Sequence, residues 1–162
     1  MELKRRISLK YIFIGAYILA FLAFLVYGLQ PAEAAQSEQI SGKLEIPSIG
    51  LVSDVTTLEL QEGRLVTPDS IVGSFSNHEN KILLIGHSTT VFQNLEDINL
   101  GDTISFNGSN YQVVNIQILE KQVVNMHDIL AGEDEETLTI MTCAGDLLDG
   151  GDATHRLIVE AK

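Results

Sequence analysis

Cys143 is the only thiol in the chain, and it closes a strand-like run, Thr137-Leu138-Thr139-Ile140-Met141-Thr142-Cys143. His87 ends a second apolar run, Lys81–His87, and Arg156 stands near the start of a third, Thr154–Ala161. The reactive form of cysteine is the thiolate, and a free thiol has a pKa of about 8.5. Apolar neighbours raise that value and nearby cations lower it, so His87 and Arg156 are the candidate activating groups. A histidine can give a proton to a leaving amine and take one from an incoming nucleophile. An arginine offers fixed donors to a carbonyl oxygen or a developing oxyanion. Cysteine, histidine and arginine therefore suffice for acyl transfer through a thioester, with the three groups expected at one rim of a sheet.

Each residue also has a plainer reading. A lone cysteine can be a small core hydrophobe. His87 lies between Gly86 and Ser88-Thr89-Thr90, as a turn residue would. Arg156 could be a surface residue, although only it and Arg64 are arginines beyond the N-terminal basic segment. Strand alternation helps to choose. Cys143 shares a face with Met141 and Thr139, His87 with Ile85 and Leu83, and Arg156 with Ile158. His155 points to the opposite face from Arg156, which makes His87 the better partner for Cys143. His78 and His127 read as loop residues. One cysteine cannot form an internal disulfide, and one Cys with four scattered His does not match the ligand spacing of a structural zinc site.

The elements that must hold these residues are mainly strands. Gly42–Ile46, Leu51–Thr57, Ile71–Phe75, Lys81–His87, Asp102–Phe106, Tyr111–Leu119, Thr137–Cys143 and Thr154–Ala161 are short, rich in Val, Ile and Thr, and separated by turn residues. Asn107-Gly108 marks a hairpin, with room for a loop longer than two residues. This spacing predicts an all-β, closed or nearly closed barrel. Phe92–Asp97 and Val124–Leu130 read as short helices or turns, and Glu133 to Glu136 as an acidic loop.

Ahead of this unit, residues 12–29 form an uncharged, almost wholly apolar segment of 18 residues. That length is at the bottom of the range for a membrane-spanning helix. Lys4, Arg5, Arg6 and Lys10 precede it and no Lys or Arg follows until Lys43, which places residues 1–11 in the cytoplasm and the rest outside. A cleaved signal peptide is the alternative, with Ala32-Glu33-Ala34 as its cleavage site, but its apolar core would exceed the usual length. Residues 30–41 read as a mobile stalk and 42–162 as the folded domain, large enough to bury a core without disulfides. The formal net charge is −12, and residues beyond 30 carry 6 Lys or Arg against 21 Asp or Glu. Such an acidic surface argues against nucleic acid and anionic lipid as partners.

The segments around the three reactive residues resemble the sortase family. Thr137 to Cys143 is similar to the Thr-Leu-x-Thr-Cys signature, with a longer lead-in. Leu84-Ile85-Gly86-His87-Ser88 resembles the histidine segment, and Thr154-His155-Arg156-Leu157-Ile158-Val159 the arginine strand. Leu44-Glu45-Ile46-Pro47 and Val66-Thr67-Pro68 with Ile71-Val72-Gly73 are weaker likenesses upstream. The resemblance implies an eight-stranded sortase β-barrel, with short helices, behind a single transmembrane signal anchor. It implies a cysteine transpeptidase on the outer face of the cell membrane. Its donor substrate would be a sorting-signal peptide, commonly Leu-Pro-x-Thr-Gly-like, and its acceptor an amine on a cell-wall precursor. Cys143 would be the nucleophile, His87 the general acid and base, Arg156 the oxyanion and substrate donor, and Thr142 a substrate contact. Sortases in general need no cofactor. One class is assisted by calcium, for which Glu133 to Glu136 would be the candidate site.

Ala144-Gly145-Asp146 after the cysteine matches none of the well-known classes. A second apolar segment and a lid-like insert are not found, which weighs against a pilus-polymerising type. Two other functions fit the same residues less fully: a hydrolase in which water resolves the thioester, and a non-catalytic surface scaffold. A papain-like protease fits poorly, because its cysteine motif is missing and the order of Cys and His is reversed.

Overall fold

The structure is a computed structural model and describes residues 39–132, 134–148 and 152–162. The expected cytoplasmic segment, membrane anchor and nearly all of the stalk lie outside these residues. Among the described residues no helix is long and apolar enough to cross a membrane.

Eight strands form the domain: β1 Ile40–Ile46, β2 Leu51–Thr57, β3 Val72–His78, β4 Lys81–Ile85, β5 Thr103–Phe106, β6 Ser109–Glu120, β7 Thr137–Leu147 and β8 Ala153–Ala161. They close into a barrel in the order β1-β2-β3-β4-β7-β8-β6-β5. Among the described residues helical structure is limited to Met126–Ile129 and three 3₁₀ turns at Pro47–Ile49, Leu95–Asp97 and Lys121–Val123. The last two residues assigned to the stalk, Ile40 and Ser41, instead begin β1, and His78 ends β3.

Alternation along the strands fills the barrel. Leu44, Ile46, Leu51, Val55, Ile104, Val113, Leu138, Ile140, Leu157 and Val159 belong to one buried cluster, joined by Phe92, Leu95 and Ile98 from the β4–β5 connection. Full burial of such a side chain stabilises by about 1.5–3 kcal/mol. The β5–β6 turn is two residues long. Asn107 and Gly108 both take positive φ, 51° and 85°, as a tight hairpin with the sheet's own twist requires. The Asn107 side chain also accepts a hydrogen bond from the Lys43 amide at 2.9 Å, which ties this turn to β1.

Two neighbouring pairs, β2–β3 and β4–β7, are parallel. Parallel neighbours need long crossovers. Residues 58–71 make the first, and the second contains β5 and β6. Residues of the first crossover and of the β6–β7 connection share a cavity wall with Ile85, Met141 and Arg156. On the β4, β7 and β8 stretch, residues outside the interior cluster are also buried, including Leu83, Ile85 and Ile158. These strands are covered on both faces, which explains their continuous apolar sequences.

One expectation is corrected. Cys143 does not end its strand: β7 continues to Leu147. Gly145 takes φ 74°, and the β7–β8 register shifts between Ala144 and Leu147. The extra residue is absorbed as a bulge, so Ala144-Gly145-Asp146 stays within β7. β4, by contrast, ends at Ile85, and Gly86 and His87 run on past it.

Candidate active site

The ladder registers bring the three predicted residues together. In β4–β7, Leu83 pairs with Thr139 and Ile85 with Met141; in β7–β8, Met141 pairs with Ile158 and Cys143 with Arg156. Ile85, Met141 and Ile158 therefore make one row on the outer face. Two residues on in β7 and two residues back in antiparallel β8, Cys143 and Arg156 make the next row, and His87, two residues past the end of β4, lines the same cavity. Directly opposed residues on antiparallel strands have Cβ atoms about 5 Å apart, so Cys143 and Arg156 are side-chain neighbours. Cys143 and Arg156 lie within β7 and β8, whereas His87 lies just past the end of β4. His155 pairs with Ala144, a core residue, and its ring nitrogen Nδ1 lies 2.8 Å from the Thr154 hydroxyl. His155 thus has a different environment from Arg156, as alternation predicted.

His87 is held although its strand has ended. Its carbonyl accepts hydrogen bonds from the amides of Thr90 at 3.3 Å and Phe92 at 3.0 Å. Gly86 is packed so closely that a Cβ there would come within 2.5 Å of Val91 and 2.8 Å of Phe92. Thr142 closes the arrangement from β7. It is buried, and its hydroxyl donates to the Gly86 carbonyl at 2.8 Å. The residue before the cysteine thereby anchors the residue before the histidine.

Arg156 is held by a set of acceptors that the sequence did not announce. Its Nη1 donates to the carbonyls of Ala153 at 3.1 Å and His155 at 2.8 Å, and its Nη2 to the Asp152 carboxylate at 2.7 Å. Asp152 also receives a hydrogen bond from Lys121 and one from the Ala153 amide. Lys121 first, then Arg156, then the backbone amide hold the Asp152 carboxyl well below the usual carboxylate range. The signal for Asp152 was its place four residues before the only arginine near the cysteine. Lys121 carried none, because the β6–β8 pairing, which sets Leu119 opposite Arg156, had first to be known.

The row opens into a cavity of about 750 Å³. The first crossover supplies Leu60, Arg64 and Leu65 to its walls, and the β6–β7 connection supplies Lys121, Met126 and Leu130. Val123 and Val124, in the same connection, are not among its lining residues. A second recess of about 250 Å³ reaches Cys143 and Thr142 from another side, between Ser88, Gln93 and Glu96 and the Ala144–Gly145 bulge. Glu133 lies outside the described residues, and the Glu136 carboxylate accepts the Tyr111 hydroxyl. Among the described residues no group of three or more His, Cys, Asp or Glu side chains is placed to hold a metal ion.

Comparison with known proteins bears on the family and the fold. The family profile described as "Sortase domain" matches residues 44–162. Solved structures of similar fold include a lid mutant of sortase A from Corynebacterium diphtheriae, 23% identical with a TM-score of 0.58 over 74% of this chain and 67% of that one. Sortase C1 from Streptococcus agalactiae is 22% identical, with a TM-score of 0.56 over 76% and 66%. Sortase A from Listeria monocytogenes is 15% identical, with a TM-score of 0.58 over 76% and 86%. The chain thus spans about two thirds of the first two. No curated protein sequence matches it. With its closed eight-stranded barrel and a family match over most of its length, the chain belongs to the sortase family. Sortases of types A and C score almost equally, so the likeness assigns no class.

Proposed function

We propose that this protein is a membrane-anchored cysteine transpeptidase that cleaves a sorting-signal peptide, Leu-Pro-x-Thr-Gly-like, and passes its acyl part to an amine of a cell-wall precursor. The observation that supports this most is that Cys143 and Arg156 stand opposite each other on β7 and β8 and share one cavity wall with His87, two residues past the end of β4. Residues 12–29 would hold the enzyme at the outer face of the cell membrane, with residues 1–11 in the cytoplasm.

In the proposed cycle the Cys143 thiolate attacks the scissile carbonyl. Arg156 donates to the oxygen as it becomes negative. Three of its five N–H groups are used by Ala153, His155 and Asp152, which leaves one Nη2 hydrogen and the Nε–H for the substrate. The carbon–nitrogen bond breaks as His87 protonates the leaving amine, and a thioester remains on Cys143. The acceptor amine then attacks the thioester, His87 takes its proton, and the thiolate leaves. The apolar cavity suits the acyl part of the donor, and the smaller recess gives the acceptor a separate approach. Thr142 serves by fixing Gly86 and so His87, and it borders both recesses, where a substrate contact is also available. The chemistry needs no cofactor.

The test uses the full chain in detergent micelles with a labelled sorting peptide and a graded concentration of an amine such as triglycine. A ligated product that grows with amine supports transfer. Hydrolysis alone at every amine concentration would favour the hydrolase instead, and turnover unaffected by Cys143→Ala would remove the thiol from the reaction.

A further inference from the structure

The charge of the large cavity is opposite to that of the domain around it. Beyond residue 30 there are 6 Lys or Arg and 21 Asp or Glu. Three of those six cations, Arg64, Lys121 and Arg156, line this one cavity, with Asp152 as its only carboxylate. Lys121 and Arg156 share Asp152 between them. Arg64 is different. It lies in the β2–β3 crossover, where its backbone pairs with Gln61 in both directions at 2.9 Å. This short ladder fixes the chain at Arg64. Among the described residues its guanidinium has no hydrogen-bond or ion-pair partner.

A surface with so few cations gains nothing in solubility by gathering half of them in one recess. A cation-lined recess in an acidic protein focuses an attractive field on an anionic ligand while the remaining surface repels it. Guanidinium also matches a carboxylate with two parallel N–H donors. We infer that Arg64 reads a carboxylate side chain in the acyl part of the donor peptide, so that the enzyme selects sorting signals bearing Asp or Glu. This inference rests on the transpeptidase reading for the identity of the ligand, and on the cavity for its charge. Arg64 is then a specificity residue at the cavity wall, apart from the row that does the chemistry.

The experiment compares three otherwise identical sorting peptides with Glu, Gln or Lys at the variable position, on wild-type protein and on Arg64→Gln and Arg64→Glu. In wild type the Glu peptide should exceed the Lys peptide about 10-fold in kcat/KM, mostly through KM, as one charge-assisted contact allows. The advantage should shrink in 0.5 M salt, as expected of a partly exposed pair. Arg64→Gln should level the series and Arg64→Glu should invert it. Binding of the same peptides to Cys143→Ala, read by fluorescence anisotropy, gives the same ranking without turnover. If the peptides bind with that ranking but wild type transfers none of them, the transpeptidase reading fails and the charge inference stands. If kcat/KM and binding are blind to peptide charge, or the ranking survives Arg64→Glu, the charge inference fails, whether or not transfer occurs.

Discussion

The interior of the barrel and the outer face of β4, β7 and β8 are built from the same strands but by different rules. Inside, Leu138, Ile140, Leu157 and Val159 are fully or nearly fully buried, and each is one of several interchangeable ways to fill space. Outside, the column begins apolar with Leu83, Ile85 and Ile158, then changes within one row to histidine, cysteine and arginine. The apolar rows press the strands against their crossovers and exclude water. The polar row lies where that cover opens into a cavity. Under the proposed function the interior carries stability and the outer row carries chemistry, and substitutions should separate the two.

The largest effects belong to the row. His87→Ala and Arg156→Ala should each lower transfer on the order of 10²-fold or more, with little change in melting temperature. If either variant melted much earlier, the division between the two faces would be wrong. If Arg156→Ala kept full activity, a backbone amide would have to stabilise the oxyanion instead. Asp152→Asn touches the row at one remove and should cost about 10-fold, chiefly in kcat, because the guanidinium loses its charged anchor. Asp152→Glu should recover part of the loss, and a merely structural role would not show that split between kcat and KM.

The interior should answer in the opposite way. Ile140→Ala should cost about 2–5 kcal/mol of stability by urea titration, while the folded fraction retains its kcat. The smallest effect is expected at Tyr111, a core residue whose hydroxyl reaches Glu136. Burial, then the hydrogen bond to Glu136, pushes its pKa up to about 12 from 10.0. The folded state therefore keeps this proton where the unfolded chain has lost it. Its contribution is complete below pH 10 and falls as the pH rises towards 12. Tyr111→Phe should lose about 1 kcal/mol at neutral pH and show a shallower alkaline decline in thermal melts.

Much of this was legible in the sequence. Leu51–Thr57 coincides with β2, because its alternation and its flanking turns agree. Cys143, His87 and Arg156 stood out because polar groups interrupt long apolar runs at matching depths. What escaped depended on partners distant in sequence. The continuation of β7 past Cys143 rests on the positive φ of Gly145 and on β8 being there to receive the bulge. The role of Thr142 as a tether to Gly86 spans 56 residues. Lys121 joins Asp152 only once β6 lies beside β8. Local pattern reveals a residue's face and neighbours on its own strand; the register between strands decides what it meets.

The most direct measurement is the intact mass of the full chain after incubation with a sorting peptide and no amine. The account predicts a new species heavier by the acyl fragment, located by digestion on Cys143, discharged by added amine and absent from Cys143→Ala. A peptide that is cleaved without any covalent species on Cys143, or an adduct that forms equally well without His87 and Arg156, would contradict it.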